Sequence, residues 1–401
     1  MSDTGIDREQ PLLRPSRIGD LLLPNRIVMA PMTRSRADNP ERAATDLHAV
    51  YYAQRAGAGL IVTEGTPISP QGVGYINVPG IHSAAQVRGW SGVTNAVHRA
   101  GGRIFAQLWH VGALSHPDLQ PDGQLPVAPS AINPNDKCFT NRGHTPTVVP
   151  RALSTGEVEA TVEDFQAAAA NAVRAGFDGV EIHGGNGYLF SQFFARSMNR
   201  RTDRYGGTIE NRARFLLEVV DAVAEEIPRG RVGVRLNPAL HRLGGVLVDE
   251  ETFPLFEYVA RQLDARELAY LHLLEPINPT DEFTLPAPTI AGHFRPLFTG
   301  PLISATDHTR TTGNRAVEAG TADLVAFGRA FIANPDLVER FRVGAALAVP
   351  DRATFYTGGA QGYTDYPRLV DDREVESVAG DQAVGLKYAE ARARMRESWS
   401  T

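Results

Sequence analysis

The sequence has a single cysteine, two lysines and no long apolar run. Because Cys138 is the only cysteine among 401 residues, a disulfide framework, a cysteine-based structural zinc site and an iron–sulfur cluster are all excluded. No apolar run approaches the ~20 residues that cross a bilayer. The first ten residues are polar and include acids, unlike a secretory signal. We therefore expect a cytoplasmic protein that does not bind membranes.

Neither sign of charge dominates the chain. Lys and Arg together number 40 against 46 Asp and Glu, which gives a formal net charge of -6. Since no basic cluster stands out, nucleic acid is not an expected partner. Lys137 and Lys387 are the only lysines, and such an arginine bias is a weak indication of a GC-rich bacterial source. The 42% hydrophobic content is sufficient for a substantial core.

Short apolar segments alternate with segments of helical period. Eight of them predict buried strands, at 26–32, 59–63, 103–108, 178–183, 231–236, 268–274, 301–304 and 322–327. Strands that are apolar on both faces favour a parallel sheet covered by helices, and eight such units predict an α/β protein with a (β/α)8 TIM barrel. An open doubly wound sheet would require G-x-G-x-x-G after its first strand, where this chain has Ala-Pro-Met-Thr at 30–33.

Helices are predicted between these strands. Their expected ranges are 44–57, 84–100, 162–175, 209–226, 252–263 and 313–319. Capping-box spacing occurs twice before the third helix, at 154–157 and at 161–164. Glycines at 57, 101, 176 and 320 are expected to be left-handed caps.

Three segments lie outside the eight units. Residues 11–24 predict a short β-hairpin that closes the bottom of the barrel, and 114–156 form a long excursion rich in proline, glycine and asparagine. We expect one barrel domain over 1–375, followed by a helical C-terminal tail over 376–401. Apolar residues of the tail fall on one helical face, which would dock on the barrel or on a partner subunit. A monomer or a homodimer is expected.

The chemistry of a barrel lies at the C-terminal ends of its strands. Among the polar residues there, no pair matches a hydrolase nucleophile and its base, and no compact set of histidines and acids predicts a metal site. The ends provide one arginine from strand five, one from strand eight, neutral hydrogen-bonding groups and a tyrosine. This set suits a bound planar, anionic organic molecule.

Eleven motifs in this order resemble the old yellow enzymes, the family of FMN-dependent ene-reductases. They are Asn-Arg-Ile-Val-Met-Ala-Pro-Met-Thr-Arg at 25–34, Tyr-Tyr-Ala-Gln-Arg at 51–55, Pro-Gly-Ile-His at 79–82, Gln-Leu-Trp-His at 107–110, Gly-Phe-Asp-Gly-Val-Glu-Ile-His at 176–183, Asn-Gly-Tyr-Leu at 186–189, Arg-Thr-Asp-Arg-Tyr-Gly-Gly at 201–207, Glu-Asn-Arg-Ala-Arg at 210–214, Gly-Arg at 328–329, Asn-Pro-Asp-Leu at 334–337 and Gly-Tyr-Thr-Asp-Tyr-Pro at 362–367. The resemblance spans residues 12–370.

The resemblance implies an FMN site across the barrel mouth. Its residues would be Pro31, Met32, Thr33, Gly65, Gln107, Arg235, Gly328, Arg329 and Tyr356. In this family Gln107 would bind the pyrimidine edge of the flavin. Arg235 would lie where negative charge collects on reduction.

The resemblance also implies the reaction. Hydride from FMN, reduced by NADPH or NADH, would add to the C=C bond of an α,β-unsaturated carbonyl compound. His183 and Asn186 would bind the carbonyl oxygen, and Tyr188 would protonate the neighbouring carbon, since a phenol is protonated at neutral pH. Tyr75 and Trp109 would line the substrate pocket.

One segment departs from the family pattern. The phosphate loop usually carries glycine, but here Thr306 and Asp307 occupy it. An aspartate 5 Å from a phosphate charge would cost about 3 kcal/mol per charge pair at an effective dielectric near 20. Either the loop was rebuilt while FMN is still bound, or the barrel lost FMN and catalyses a redox-neutral isomerisation or cyclisation of a natural-product-type metabolite. A non-catalytic binding protein is a third possibility, against which the retention of Tyr188, His183 and Arg235 argues.

Overall fold

A computed structural model of the protein describes residues 10–276 and 282–369. Eight parallel strands close into a barrel in sequence order. They are β1 (Ile27–Met29), β2 (Leu60–Pro67), β3 (Ile104–Trp109), β4 (Gly179–His183), β5 (Val232–Leu236), β6 (Tyr270–Leu274), β7 (Leu302–Ala305) and β8 (Leu324–Phe327). The predicted (β/α)8 barrel is confirmed. The first strand is shorter than predicted because the chain after Met29 continues without ladder pairing.

Ten α-helices lie in the part of the chain that the structure describes. They are α1 (Asp46–Gln54), α2 (Ala84–Arg99), α3 (Thr155–Arg174), α4 (Leu189–Phe194), α5 (Ile209–Glu226), α6 (Thr252–Asp264), α7 (Ile290–Phe294), α8 (Arg310–Glu318), α9 (Arg329–Ala333) and α10 (Leu337–Val343). The sequence did not predict α4, α7, α9 or α10, each at most seven residues long and too short for a helical period to stand out.

The cap positions correct two predictions. Helix α3 begins seven residues before its predicted start, because Ser154 accepts from the amide of Glu157 and forms the capping box. The second candidate cap, Thr161, is inside the helix and donates to the Glu157 carbonyl. The glycines at 101, 176 and 320 have φ of +81°, +84° and +69°, as expected, but Gly57 does not adopt the left-handed conformation.

Both ends of the barrel are covered by segments outside the eight units. At the bottom, antiparallel strands Ser16–Ile18 and Leu21–Leu23 form the predicted hairpin. Ile18 and Leu23 are buried in the cluster that fills the barrel interior. The excursion contains a second hairpin, Lys137–Thr140 with Gly143–Pro146, and its Phe139 bridges to Tyr75 near the mouth. The predicted helical tail over 376–401 lies outside the described residues.

Within residues 10–276 and 282–369, no helix is long and apolar enough to cross a membrane. The same residues contain no group of three His, Cys, Asp or Glu side chains that could hold a metal ion.

Candidate active site

Strand register places the predicted site residues in two layers near the mouth. Gly65, Gln107 and Glu181 are partners across β2, β3 and β4. Two residues further along, His183 pairs with Arg235. Because side chains of a strand alternate between faces, Glu181 and His183 lie on the same face of β4. The carboxyl ends of four neighbouring strands therefore bring these residues together.

The turn between β4 and α4 carries the His-x-x-Asn-x-Tyr pattern. Asn186 and Gly187 both have positive φ, +59° and +76°, and a Cβ at position 187 would meet the Leu243 carbonyl oxygen at 2.8 Å. Asparagine and glycine are the residues that adopt this conformation most readily. The turn delivers Tyr188 to the position just before α4, where its ring meets that of His183 edge-on at 5.1 Å.

His183 is a neutral hydrogen-bonding group. Burial and the nearby Arg235 guanidinium hold its pKa well below the ordinary value. Its Nδ1 accepts from the Gly185 amide at 3.4 Å, which assigns the remaining proton to Nε2. The Oδ1 atom of Asn186 is buried without a partner among the described residues. Both side chains have a polar atom to offer a ligand.

An aromatic wall flanks this turn. The Trp109 ring contacts the Tyr188 ring edge-on at 5.1 Å and the Tyr75 ring at 5.7 Å. The two tyrosine hydroxyls are hydrogen-bonded to each other. Burial raises the pKa of Tyr75 to about 12 and that of Tyr188 well above the ordinary value. Both phenols are consequently protonated at any physiological pH.

Gly65 is required for the position of Trp109. A Cβ at residue 65 would lie 2.6 Å from the Trp109 ring, so only glycine allows the indole to pack against β2. This packing is a structural reason for Gly65, to which the family resemblance assigns a role in cofactor binding. The cofactor role stays a prediction.

Glu181 organises the layer below Arg235. Its carboxylate accepts from Gln107 Nε2 at 2.7 Å and from Tyr270 Oη at 3.1 Å, and it is bonded to His272 Nδ1 at 2.7 Å. Burial would raise its pKa, but His272, Arg235 and Gln107 together hold the pKa below the ordinary value. Because Gln107 donates to Glu181, its amide oxygen is turned away from this carboxylate. Sequence reasoning missed Glu181 as a site residue, although its spacing of two from His183 on one strand could have indicated it.

Arg235 supplies a buried positive charge. It is 8% exposed, and burial lowers its pKa against the opposing effect of Glu181. An arginine remains charged even so, since its ordinary pKa exceeds 12. Its Nε has no partner within the described part of the chain. The site therefore presents a cation to whatever occupies the mouth.

The segment after β1 is held by a buried arginine cluster that sequence reasoning did not foresee. Arg34 donates to the carbonyls of Phe355 and Gly362 at 3.1 and 2.7 Å, and Arg36 donates to that of Thr354 at 2.7 Å. These bonds tie the backbone next to Pro31, Met32 and Thr33 to the segment around 354–362. They also carry Tyr356 to the mouth, where its exposed ring lies 5.8 Å from that of Phe139.

The loop after β7 lies beside the start of α9. Thr306 and Asp307 both have positive φ, +89° and +54°. The Asp307 carboxylate accepts from Arg329 Nη2 at 2.8 Å, and Ser304 Oγ is bonded to His308 Nε2 at 2.8 Å. Gly328 lies against Met32, since a Cβ there would be 3.6 Å from the Met32 sulfur. The structure thus brings both ends of the predicted cofactor site to the same rim.

Comparison with known proteins identifies the family. Residues 11–347 match the model of the NADH:flavin oxidoreductase / NADH oxidase family. The chain belongs to this family.

Individual relatives agree with the assignment. A putative 12-oxophytodienoate reductase 3 from Oryza sativa subsp. japonica is 44% identical over 371 residues, which cover 91% of this chain and 94% of the relative. The structure of morphinone reductase is 50% identical with a TM-score of 0.86, covering 92% of this chain and 99% of that one. An old yellow enzyme homologue from Zymomonas mobilis is 42% identical with a TM-score of 0.85, covering 89% and 99%. The resemblance to old yellow enzymes is confirmed.

This membership makes the chain a flavin-dependent oxidoreductase with FMN as cofactor and NADH or NADPH as reductant. The residues at the mouth fit such a ligand. Five buried polar atoms there have no partner among the described residues: Trp109 Nε1, Asn186 Oδ1, Arg235 Nε, Asn237 Oδ1 and His272 Nε2. Buried polar groups are ordinarily hydrogen-bonded, so a cluster of unpartnered ones indicates a place where a polar ligand binds.

Proposed function

We propose that the chain reduces the C=C bond of an α,β-unsaturated carbonyl compound, with Tyr188 as the proton donor. The observation that carries the proposal is the convergence of a neutral His183, the side-chain amide of Asn186 and a protonated Tyr188 on one turn beside Arg235. The relatives named as reductases of 12-oxophytodienoate and morphinone support the substrate class.

Different residues at the mouth would bind different parts of FMN. FMN, when bound, supplies the hydride that NADH or NADPH has donated. Arg235 would favour the more negative, reduced form through its fixed charge. Gln107, oriented by Glu181, would present its amide oxygen to the ring edge. Pro31, Met32 and Thr33 would hold the flavin from the backbone side, a position stabilised by Arg34 and Arg36.

The carbonyl oxygen of the substrate would bind between His183 and Asn186. Neutral His183 can donate from Nε2, and the Asn186 side-chain amide can donate from its nitrogen. Negative charge develops on this oxygen as hydride reaches the β-carbon. Donors placed there in advance stabilise that charge more than they stabilise the ground state.

Tyr188 would deliver the proton to the α-carbon. Its hydroxyl is bonded to that of Tyr75, so the transfer can be followed by reprotonation from Tyr75. The raised pKa keeps the donor protonated, as a general acid must be, and disfavours a free phenolate. The wall of Trp109 and Tyr75 would shield this transfer from bulk water.

One observation favours the second candidate, a redox-neutral step without flavin. Arg329, which would bind the flavin phosphate, is already paired with Asp307. In that case His183, Asn186 and Tyr188 would bind a carbonyl and exchange a proton during isomerisation or cyclisation.

Spectroscopy separates the two functions. Purified protein should show a flavin band at about 450 nm, alone or after addition of FMN, that bleaches with NADH or NADPH under argon and returns when an enone is added. A band that bleaches but never returns with any enone would contradict the substrate class. A colourless protein that ignores excess FMN would contradict the flavin-dependent function and favour the redox-neutral one. The cytoplasmic location and the oligomeric state stay predictions.

A further inference from the structure

We infer that Glu181 lowers the reduction potential of the bound flavin, as a buried anion that offsets the positive charge of Arg235. Beside this pair, reduced flavin would be a stronger hydride donor than beside the arginine alone. Glu181 would act through Gln107 and Arg235 without touching the reacting atoms, as a positioning residue. The inference rests on the proposed function, because it assumes that these two side chains face the flavin ring.

A glycine on β5 allows side chains of β6 to reach Glu181 on β4. Strand β5 lies between the other two, and Gly233 is its residue in register with both Glu181 and Tyr270. A Cβ at position 233 would lie 2.3 Å from the Tyr270 ring, so a larger residue would displace this ring. Across this open position, Tyr270 Oη and His272 Nδ1 reach the Glu181 carboxylate at 3.1 and 2.7 Å.

The Glu181 carboxylate is ionised, and the groups bonded to it are neutral. Burial would raise the pKa of Glu181, but His272, Arg235 and Gln107 together hold the pKa below its ordinary value. Burial lowers the pKa of His272, so this imidazole is uncharged at pH 7. Its Nδ1 therefore donates to the carboxylate, as Tyr270 Oη and Gln107 Nε2 do. The negative charge of Glu181 is hydrogen-bonded, but none of these three donors neutralises it.

Arg235 is the cation that faces this anion. It follows Gly233 by two residues, so its side chain leaves β5 on the face that Tyr270 crosses. Arg235 and Glu181 attract each other without a direct ion pair among the residues that the structure describes. Tyr188 and Tyr270 also act on Arg235, but both are protonated and uncharged.

The two charges sum to zero in a place that water screens poorly. Glu181 is fully buried and Arg235 is 8% exposed. Hydride transfer to the flavin adds negative charge to the ring, which an arginine favours and a carboxylate opposes. The ring would therefore meet a balanced pair of charges, and the loss of Glu181 would leave it beside an uncompensated cation.

The size of the effect follows from the short path between the carboxylate and the ring. Gln107 Nε2 lies 2.7 Å from Glu181, so a single side-chain amide would separate the carboxylate from the ring edge. A unit charge acting over about 10 Å, at an effective dielectric of about 20, changes an equilibrium constant by about tenfold. Removal of the charge should favour reduced flavin by at least about that factor.

The test measures the midpoint potential of FMN bound to the protein at pH 7, by equilibration with a reference dye under argon. E181Q removes the charge, while its amide oxygen can still accept from Gln107. Y270F is the matched control, because it removes one hydrogen bond from the same carboxylate and leaves the charge in place. A phenylalanine ring at 270 would keep the stacking on Phe105, where the ring centroids are 5.8 Å apart.

We expect E181Q to raise the equilibrium constant for flavin reduction at least about tenfold, a rise of about 30 mV for a two-electron couple. Y270F should stay within about threefold of wild type. An unchanged or lower potential in E181Q, or an equal rise in Y270F, would overturn the inference and leave the proposed function intact.

A measurement that keeps Glu181 covers the case in which E181Q does not fold. Reduced-minus-oxidised infrared spectra of protein with isotope-labelled glutamate should show the stretching band of an ionised carboxylate that shifts on flavin reduction. Y270F should displace this band, and the absence of such a band would overturn the inference. Neither experiment uses an enone, so a flavin that no enone reoxidises would overturn only the proposed function. A protein that binds no FMN would overturn both.

Discussion

Replacing Tyr188 with phenylalanine removes one hydroxyl from the proposed proton donor and leaves the ring in place. The ring stays between Trp109 and His183, each 5.1 Å away, so no cavity forms. The hydrogen bond to Tyr75 is lost, and a bond of this kind contributes about 1 kcal/mol to folding. The variant should therefore fold normally.

The kinetic effect should be much larger than the effect on stability. General acid catalysis contributes about a hundredfold to ten-thousandfold, equivalent to about 3 to 5 kcal/mol of activation free energy. Rapid mixing would measure two rates separately: flavin reduction by NADH or NADPH, and reoxidation by a weakly activated enone. We expect Y188F to slow only the second, by about that factor.

Tyr75 provides the matched control. Y75F breaks the same hydrogen bond and keeps the Tyr188 hydroxyl, so its reoxidation rate should fall by about tenfold at most. If Y188F and Y75F slowed reoxidation equally, the shared hydrogen bond rather than the donor hydroxyl would be responsible. Equal loss of both half-reactions in Y188F would refute the assignment of Tyr188 as proton donor.

Two further predictions concern stability. T306G should raise the free energy of unfolding by about 1 kcal/mol, because a threonine at φ +89° is strained. Urea denaturation measures this free energy. A decrease would show that the Thr306 side chain stabilises the loop. Stability should fall as the pH decreases from 7 to 5, because burial lowers the pKa of His48 and of His110 to about 4 while the unfolded histidines bind protons near pH 6.5. Each histidine should account for about 2 kcal/mol of this loss. In H48Q the free energy of unfolding, measured by urea denaturation, should therefore fall by about 2 kcal/mol less between pH 7 and pH 5 than in the wild type. An unchanged pH dependence of the free energy of unfolding would show that His48 is protonated in the folded protein.

Local capping signals do not by themselves determine where a helix begins or ends. Ser154 and Thr161 both begin a capping-box pattern, and only the earlier one caps α3. The sequence alone does not show which residue caps the helix, since both patterns are equally good local signals. Val158 and Thr161 are buried in the folded protein, and this burial favours the longer helix that begins after Ser154. Gly57 fails as a left-handed cap for a related reason: α1 ends earlier, at Gln54.

The order of strands, the barrel and the positions of His183, Asn186, Tyr188 and Arg235 at strand ends follow from the sequence by itself. Eight apolar segments and the helical period of the segments between them are local patterns that the chain carries without any partner. Contacts between residues that are far apart in the sequence are not encoded in local patterns, and only the tertiary structure decided them. Closure of the barrel sets Glu181 beside Gln107, although 74 residues separate them, and brings Asp307 to Arg329. A charged side chain pairs with the polar groups that lie next to it in the folded protein, and these groups become neighbours only when the eight strands close into the barrel.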